Sequence, residues 1–311
     1  MLVLMYDLII IGGGPAGTAA GVYASRKRLK TILVTDVFGG QSVVSEEIQN
    51  WIGTVKISGK ELAENLKKHL RAYAEDIVDI VESDKVKTVV QTEEVFTVET
   101  ERGKKYNGKN IFIASGAQRK KLNVPGAEEF ENKGLTYCAS CDGPLFADMD
   151  VAVVGGGNAG FETAAQLLAY TKSVTLLARR EEFKADPITV KKILSNPKMK
   201  ALTNAETVEI KGDKFVNTVT YKNRETGERH DISVKGVFVE IGLVPSTDMV
   251  KDLVELDEYR RVVTNPKNQK TSVPGIWAAG DVTDELYHQN NIAAGDAIKA
   301  VEDIYQQYAA R

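Results

Sequence analysis

Short apolar runs punctuate the chain, and several lead into glycines before a stretch of mixed polarity. The first run, Leu8-Ile9-Ile10-Ile11, has the character of a buried parallel strand. Gly12-Gly13-Gly14-Pro15-Ala16-Gly17 then forces a tight turn into a helix, and Thr18, Ala19, Ala20 and Gly21 let that helix pack close to a sheet. Thr31-Ile32-Leu33-Val34 predicts a second strand, ending in polar Thr35-Asp36. Together these form a βαβ unit whose turn reads G-x-G-x-x-G at Gly12, Gly14 and Gly17.

The pattern returns after residue 150. Val151-Ala152-Val153-Val154 leads into Gly155-Gly156-Gly157-Asn158-Ala159-Gly160, then a helix through Thr163, Ala164 and Leu167, then the strand Val174-Thr175-Leu176-Leu177. The likeness extends further. A period-2 stretch at Val95 to Val98, a turn at Arg102-Gly103 and a strand Ile111-Phe112-Ile113 ending at Ala114-Ser115-Gly116 follow the first unit. Phe215 to Tyr221, a turn at Thr226-Gly227, a strand at Ile232 to Val234 and Val237-Phe238-Val239 ending at Ile241-Gly242 follow the second. Each half reads as βαβ, hairpin, strand. A single glycine turn is a weak signal, since a strand–helix corner needs no ligand. Two copies in the same context predict two nucleotide-binding modules, because glycine admits a pyrophosphate to the backbone and the helix N-terminus offers free N–H groups.

The ends of the second strands separate the two modules. Asp36 lies 19 residues beyond Gly17, where a carboxylate accepts hydrogen bonds from an adenosine ribose and repels a 2′-phosphate. The matching strand of the second module ends in Ala178-Arg179-Arg180, with Lys184 following. Guanidinium groups there attract a 2′-phosphate through charge-assisted hydrogen bonds. The first module therefore suits FAD and the second NADPH. Gly160 cuts the other way, since NADPH-binding turns often carry Ala at that place.

Composition narrows the class. At 311 residues, 43% hydrophobic and 27% charged, the chain has material for about two domains with real cores, and disorder is excluded. A net charge of −3 gives no reason to expect nucleic acid or a membrane surface. Met1 to Met5 lacks a basic flank, and no apolar run approaches the roughly 18 residues that span a bilayer, so a soluble, reducing, cytoplasmic setting is expected.

Two cysteines cannot staple such a chain, which excludes a disulfide scaffold. They sit between the modules, in Tyr137-Cys138-Ala139-Ser140-Cys141-Asp142-Gly143-Pro144. Structural zinc wants four N or S ligands, and only three scattered histidines (His69, His230, His288) could join the pair, so no metal is expected. Two inert thiols remain an option. Asp142 argues against it, because a neighbouring carboxylate can move protons during thiol chemistry. Redox chemistry is the better reading. Near the C-terminus, Gly275 to Val282 reads as a strand running into a turn at Gly280-Asp281, followed by a helix from about Ala293 to Tyr308.

These residues resemble the low-molecular-weight thioredoxin reductases, class II of the pyridine nucleotide-disulfide oxidoreductases, over essentially the whole chain. The resemblance rests on the turn Gly12 to Gly17, Gly39-Gly40-Gln41, Asn50-Trp51, Ala114 to Gly116, Cys138 to Pro144, the turn Gly155 to Gly160, and Gly280-Asp281. It implies an α/β fold of two Rossmann-like three-layer FAD/NAD(P)-binding domains, the second inserted into the first. Residues 1–117 and 246–311 would form the FAD-binding domain, and 118–245 the NAD(P)H-binding domain with the cysteine pair.

The resemblance also implies the site. FAD would be held by Gly12, Gly14, Pro15, Ala16 and Gly17; Thr35 and Asp36; Gly40, Gln41 and Asn50; Ala114, Ser115 and Gly116; and Gly280, Asp281, His288, Gln289, Asn291 and Ala293, with Asp281 on a ribityl hydroxyl. NADPH would be held by Gly155, Gly157, Asn158, Ala159, Gly160, Arg179, Arg180, Lys184, Ile241 and Gly242. Electrons would pass from NADPH through FAD to a Cys138–Cys141 disulfide and on to thioredoxin or a thioredoxin-like protein. Cys141 would face the flavin, Cys138 would attack the partner disulfide, and Asp142 would serve as the acid. Rotation of the inserted domain about Gly116 to Gln118 and Gly242 to Pro245 would let the cysteines and the nicotinamide take turns at one flavin. Members are commonly homodimers.

Three departures matter. The His-Arg-Arg-x-x-x-Arg phosphate motif reads Ala178 to Lys184 here, which leaves NADPH favoured and NADH usable. Tyr-Arg-Gln after the flavin acid reads Tyr287-His288-Gln289, and Ser140 replaces threonine between the cysteines. The leading expectation is an NADPH-dependent thioredoxin-disulfide reductase. The NADH-linked flavoprotein of an alkyl hydroperoxide reductase is similar around Phe38 to Gln41 and Tyr137-Cys138, and a ferredoxin-fed flavin thioredoxin reductase is a further enzyme reading. A non-catalytic redox sensor signalling through the cysteines is the alternative outside enzymes.

Overall fold

The computed structural model describes residues 4–45, 48–92, 95–137 and 139–309. The chain divides into two compact units, Met1–Gln118 with Val244–Arg311, and Arg119–Leu243. The crossings thus fall after Gln118 and after Leu243, against sequence boundaries drawn after Ala117 and after Pro245.

The first unit is built on a five-stranded parallel sheet in the spatial order Ile276–Ala278, Ile111–Ile113, Leu8–Gly13, Thr31–Phe38, Val78–Glu82. Its central strands are apolar on both faces because both faces are covered. Alternate residues go to opposite sides. Leu8, Ile10, Leu33, Phe112 and Trp277 meet the helices Pro15–Arg26, Gly59–Ala74 and Asn290–Ala309 through Ala20, Leu70 and Val301. Ile9, Ile11, Ile32, Val34 and Ile113 meet a second sheet through Val89, Phe96 and Val98. That sheet runs Met5–Tyr6, Lys105–Gly108, Val95–Thr100, Val86–Thr92. The small-residue face of the first helix works as expected from its composition: a Cβ on Gly21 would stand 2.7 Å from Leu70 Cδ1 of the neighbouring helix.

The second unit repeats the design. Its parallel sheet runs Leu135–Thr136, Gly236–Val239, Asp150–Val154, Ser173–Leu177, Met199–Leu202. Val151, Val153, Leu176 and Phe238 pack on Phe161, Ala164 and Leu167 of the helix Asn158–Leu167, whereas Ala152, Val154, Val237 and Val239 pack on an antiparallel sheet through Ile210, Val216 and Val219. That sheet is Ala205–Gly212, Val216–Asn223, Arg229–Ser233. Both units are therefore three-layered.

The expected hairpin in each half is part of a larger sheet, wholly antiparallel in the second unit and mixed in the first, where Met5–Tyr6 pairs in parallel with Lys105–Gly108. In the extra strand Val86–Thr92 the buried Val86 and Val89 stand three apart, and in Ala205–Gly212 a register shift after Thr207 breaks the alternation, so neither carries a continuous period-2 signal. The helices Gly59–Ala74 and Pro187–Leu194 add to the elements expected from the sequence. The second strand runs on past Val34 to Phe38, and the C-terminal helix begins at Asn290, three residues before Ala293. No helix among the described residues is long and apolar enough to cross a membrane.

Candidate nucleotide and redox sites

In the first unit the glycine turn divides its labour. A Cβ on Gly12 would stand 2.2 Å from Ala114 O, and one on Gly17 would stand 1.9 Å from Gly12 O, so both are required for strand–helix closure. Gly12 also has φ +113°, which other residues avoid. Gly14 is different: a Cβ there meets only Gly40 Cα, at 3.9 Å, across open space. The helix Pro15–Arg26 starts at Gly14 with no side-chain cap, leaving its first N–H groups turned to that space.

The space is a cleft of about 260 Å³ lying wholly in the first unit. Gly12, Gly14, Pro15, Ala16, Thr35, Asp36, Gly40, Gln41, Ala114, Ser115, Gly116, Gly280, Asp281 and Ala293 all line it. Four elements distant in sequence are thus brought to one groove. Gln41 Nε2 donates to Ala117 O at 2.9 Å, and Ser115 Oγ donates to Ser246 O at 2.7 Å, which turns both side chains to the protein's own backbone. Asp281 is largely buried. Burial pushes its carboxyl above the ordinary aspartate value, and His288 pulls it partly back.

Other expected residues lie beside the cleft. His288 and Gln289 line a small adjoining hollow with Gly280, Asp281 and Ala293. His288 Nε2 is buried there with no hydrogen-bond partner among the described residues. Asn50 Nδ2 donates to Gln289 Oε1 at 2.8 Å and Asn291 Nδ2 donates to Asn50 O at 2.6 Å, so these three side chains clip the loop after Asn50 to the start of the last helix. Asp84, Lys85, Val86, Met249 and Asn290 also line the cleft, beyond the residues expected from the sequence. Among them, only Asn290, beside the expected Asn291, lies near a motif that could have signalled it.

The second unit repeats the turn. A Cβ on Gly155 would stand 2.0 Å from Glu240 O, one on Gly160 would stand 2.0 Å from Gly155 O, and one on Gly157 meets only Lys184 O at 3.6 Å. Gly160 is therefore in close backbone packing, and Ala there would require the helix to move away from Gly155. The helix Asn158–Leu167 again starts without a side-chain cap. Lys184 N–H donates to Gly156 O at 2.8 Å and Asp186 N–H donates to Asn158 Oδ1 at 2.8 Å, which lays the segment after Arg180 across the turn. Arg179 and Arg180 are exposed at the end of Ser173–Leu177. Ile241 packs on the core, and Gly242 O accepts from Lys120 N–H at 2.9 Å.

Cys138 lies outside the described residues, and so does the side chain of Cys141. The residues flanking them in the chain are fixed by side-chain contacts. Tyr137, immediately before Cys138, is held on three sides: its hydroxyl accepts from Leu122 N–H at 3.0 Å, Lys121 Nζ sits 4.6 Å above its ring, and its carbonyl accepts from Arg119. Arg119 also pairs with Glu240 at 2.8 Å, and Thr163 Oγ1 donates to the same carboxylate at 3.0 Å. Burial raises the Glu240 carboxyl above the usual glutamate value, with Arg119 and Thr163 opposing. After the cysteines, Thr136 Oγ1 donates to Asp142, which opens onto a hollow of about 750 Å³ walled by Leu135, Leu145, Phe146, Met149 and Phe215. Arg119, Glu240 and this hollow are not legible in the sequence as site features.

The chain is similar to known proteins over most of its length. A family model described as pyridine nucleotide-disulphide oxidoreductase matches residues 6–298. A protein named NADH dehydrogenase from Bacillus subtilis is 40% identical over 295 residues, 95% of this chain and 57% of its own length. A component of the alkyl hydroperoxide reductase of Staphylococcus aureus is also 40% identical over 295 residues, again 95% and 57%. The chain spans a little over half the length of these curated relatives. The solved thioredoxin reductase of Lactococcus lactis superimposes with a TM-score of 0.89 at 34% identity, covering 98% of this chain and all of that one.

Proposed function

The chain belongs to the pyridine nucleotide-disulphide oxidoreductase family, and from that membership we propose that it passes electrons from NADPH, through FAD and the Cys138–Cys141 pair, to the disulfide of thioredoxin or a thioredoxin-like protein. One observation carries the reading. The two glycine turns make matching close approaches to the backbone, yet the strand beyond the first ends in Asp36 and the strand beyond the second in Arg179-Arg180. The first turn, with its cleft, therefore suits an adenosine with free ribose hydroxyls, and the second turn an adenosine bearing a 2′-phosphate.

The residues of the first cleft fit FAD: an uncapped helix N-terminus and the open face of Gly14 for the pyrophosphate, Asp36 for a ribose and Asp281 for the ribityl chain. When bound, the flavin supplies the exchange between a hydride donor and a thiol pair. The chain's own part is the thiol chemistry. Cys138 attacks the partner disulfide as a thiolate, Cys141 resolves the mixed disulfide, and Asp142, oriented by Thr136, handles the proton. Tyr137, clamped at carbonyl, ring and hydroxyl, fixes where the cysteine segment begins.

The test is NADPH-driven reduction of a thioredoxin by the purified flavoprotein, followed beside Cys138→Ser and Cys141→Ser. Turnover by the wild type and none by either variant is expected. Full turnover by Cys141→Ser would take the pair out of the path and leave a redox sensor as the better account. A second reading is favoured by the names of the curated relatives and by Ala178 and Lys184 in the phosphate motif: an NADH-linked flavoprotein feeding a peroxide-reducing system. Turnover with NADH above that with NADPH, and with a peroxiredoxin-linked carrier above that with thioredoxin, would select it.

A further inference from the structure

Because the two units share one architecture, the first shows which corner of the second faces an adenosine. In the first, Asp84 N–H donates to Thr35 O at 3.3 Å, next to Asp36. Asp84, Lys85 and Val86 then line the same cleft as Asp36. The turn between the antiparallel strands Val95–Thr100 and Lys105–Gly108 closes the corner, with Glu101 N–H on Lys85 O at 2.8 Å.

The second unit builds the corner with other side chains. Asn204 N–H donates to Arg180 O at 3.0 Å and Ala205 N–H donates to Ala178 O at 2.9 Å. The turn between Val216–Asn223 and Arg229–Ser233 closes it, with Arg224 N–H on Asn204 O at 2.8 Å. The Arg224 side chain then reaches back, its Nη1 3.4 Å from Arg179 O. The neighbouring carboxylate is drawn aside, since Asn204 Nδ2 holds Glu225 Oε1 at 2.7 Å. The turn is stiff, with Asn223 Oδ1 accepting from the N–H groups of Glu225 and Thr226 at 2.9 and 3.2 Å.

We propose that Arg224 is a specificity-determining residue: a guanidinium supplied by the hairpin that joins Arg179 and Arg180 around the 2′-phosphate of the nicotinamide nucleotide. The charge balance gives it a purpose. Glu181 and Glu182 on the same loop work against an anion, and Lys184 stands where the resembled motif has arginine. A planar donor from a second element restores bidentate capacity that a lysine lacks. The proposal rests on the NADPH reading and deepens it.

The test uses the FAD-loaded full chain and two probes, 2′,5′-ADP and 5′-AMP, with affinities from isothermal titration calorimetry. The wild type should prefer 2′,5′-ADP. Arg224→Gln should weaken that ligand about fivefold to tenfold with 5′-AMP unchanged, and Arg224→Lys should fall between. The Arg224 bond that shapes the turn comes from the backbone, so the fold survives these changes. If the wild type shows no preference, the NADPH reading itself fails. If it shows the preference and Arg224→Gln keeps the same ratio, or weakens both probes equally, NADPH stands and the role of Arg224 is overturned.

Discussion

Arg119 Nη1 lies 2.8 Å from Glu240 Oε1 and donates at the same time to the carbonyl of Tyr137. One guanidinium thus links the first residue of the second unit, the end of the strand Gly236–Val239 and the residue preceding Cys138. Arg119→Met removes the link and leaves a mostly buried carboxylate with Thr163 as its remaining partner. We expect a loss of about 1–3 kcal/mol in urea unfolding, because an uncompensated buried charge costs more than the pair gained. Partner reduction should slow more than reduction of the flavin, which stopped-flow absorbance separates.

Glu240 also predicts a pH dependence. Its folded pKa is raised by burial, so the folded chain holds this proton more tightly than the unfolded chain. The resulting stability is fully present below the ordinary glutamate value and is lost as pH rises through the raised value. Glu240→Gln should flatten that part of the stability curve. Melts across the acidic range, comparing wild type with variant, check it; parallel curves would contradict the assignment.

The glycines of the first turn should fail in different ways. Gly17→Ala places a methyl 1.9 Å from Gly12 O and should cost about 1–3 kcal/mol of apoprotein stability. Gly14→Ala has room in the protein and should melt like the wild type, yet hold FAD about tenfold more weakly, since the methyl enters the space that the proposed function gives to the pyrophosphate. Calorimetry of apoprotein and fluorescence of released flavin distinguish the two.

The contrast between those glycines explains what a sequence can disclose. Gly12, Gly17, Gly155 and Gly160 are legible because closure of a strand–helix corner admits nothing larger, and the apolar strands are legible because both faces are covered. The helix Gly59–Ala74 has a local signal too: Ser58, whose hydroxyl accepts from Glu61 N–H at 3.2 Å, followed by Leu62, Leu66 and Leu70 at helical spacing. Asp84, Arg224 and the Arg119–Glu240 pair have none. Each reaches its place through a strand pairing between segments far apart in the chain, and no local period records which loops a sheet will bring together.

The central claim is that FAD and the Cys138–Cys141 pair lie on one electron path from NADPH. Anaerobic titration of the bound flavin with NADPH, and separately with NADH, tests it most directly. Full reduction of the wild type should consume about two equivalents of NADPH, and of the Cys138→Ser/Cys141→Ser double variant about one, because the flavin and the disulfide each take an electron pair. NADH should bleach the flavin only at much higher concentration. A wild-type flavin left unbleached by either nucleotide, or identical stoichiometry in wild type and double variant, would contradict the account.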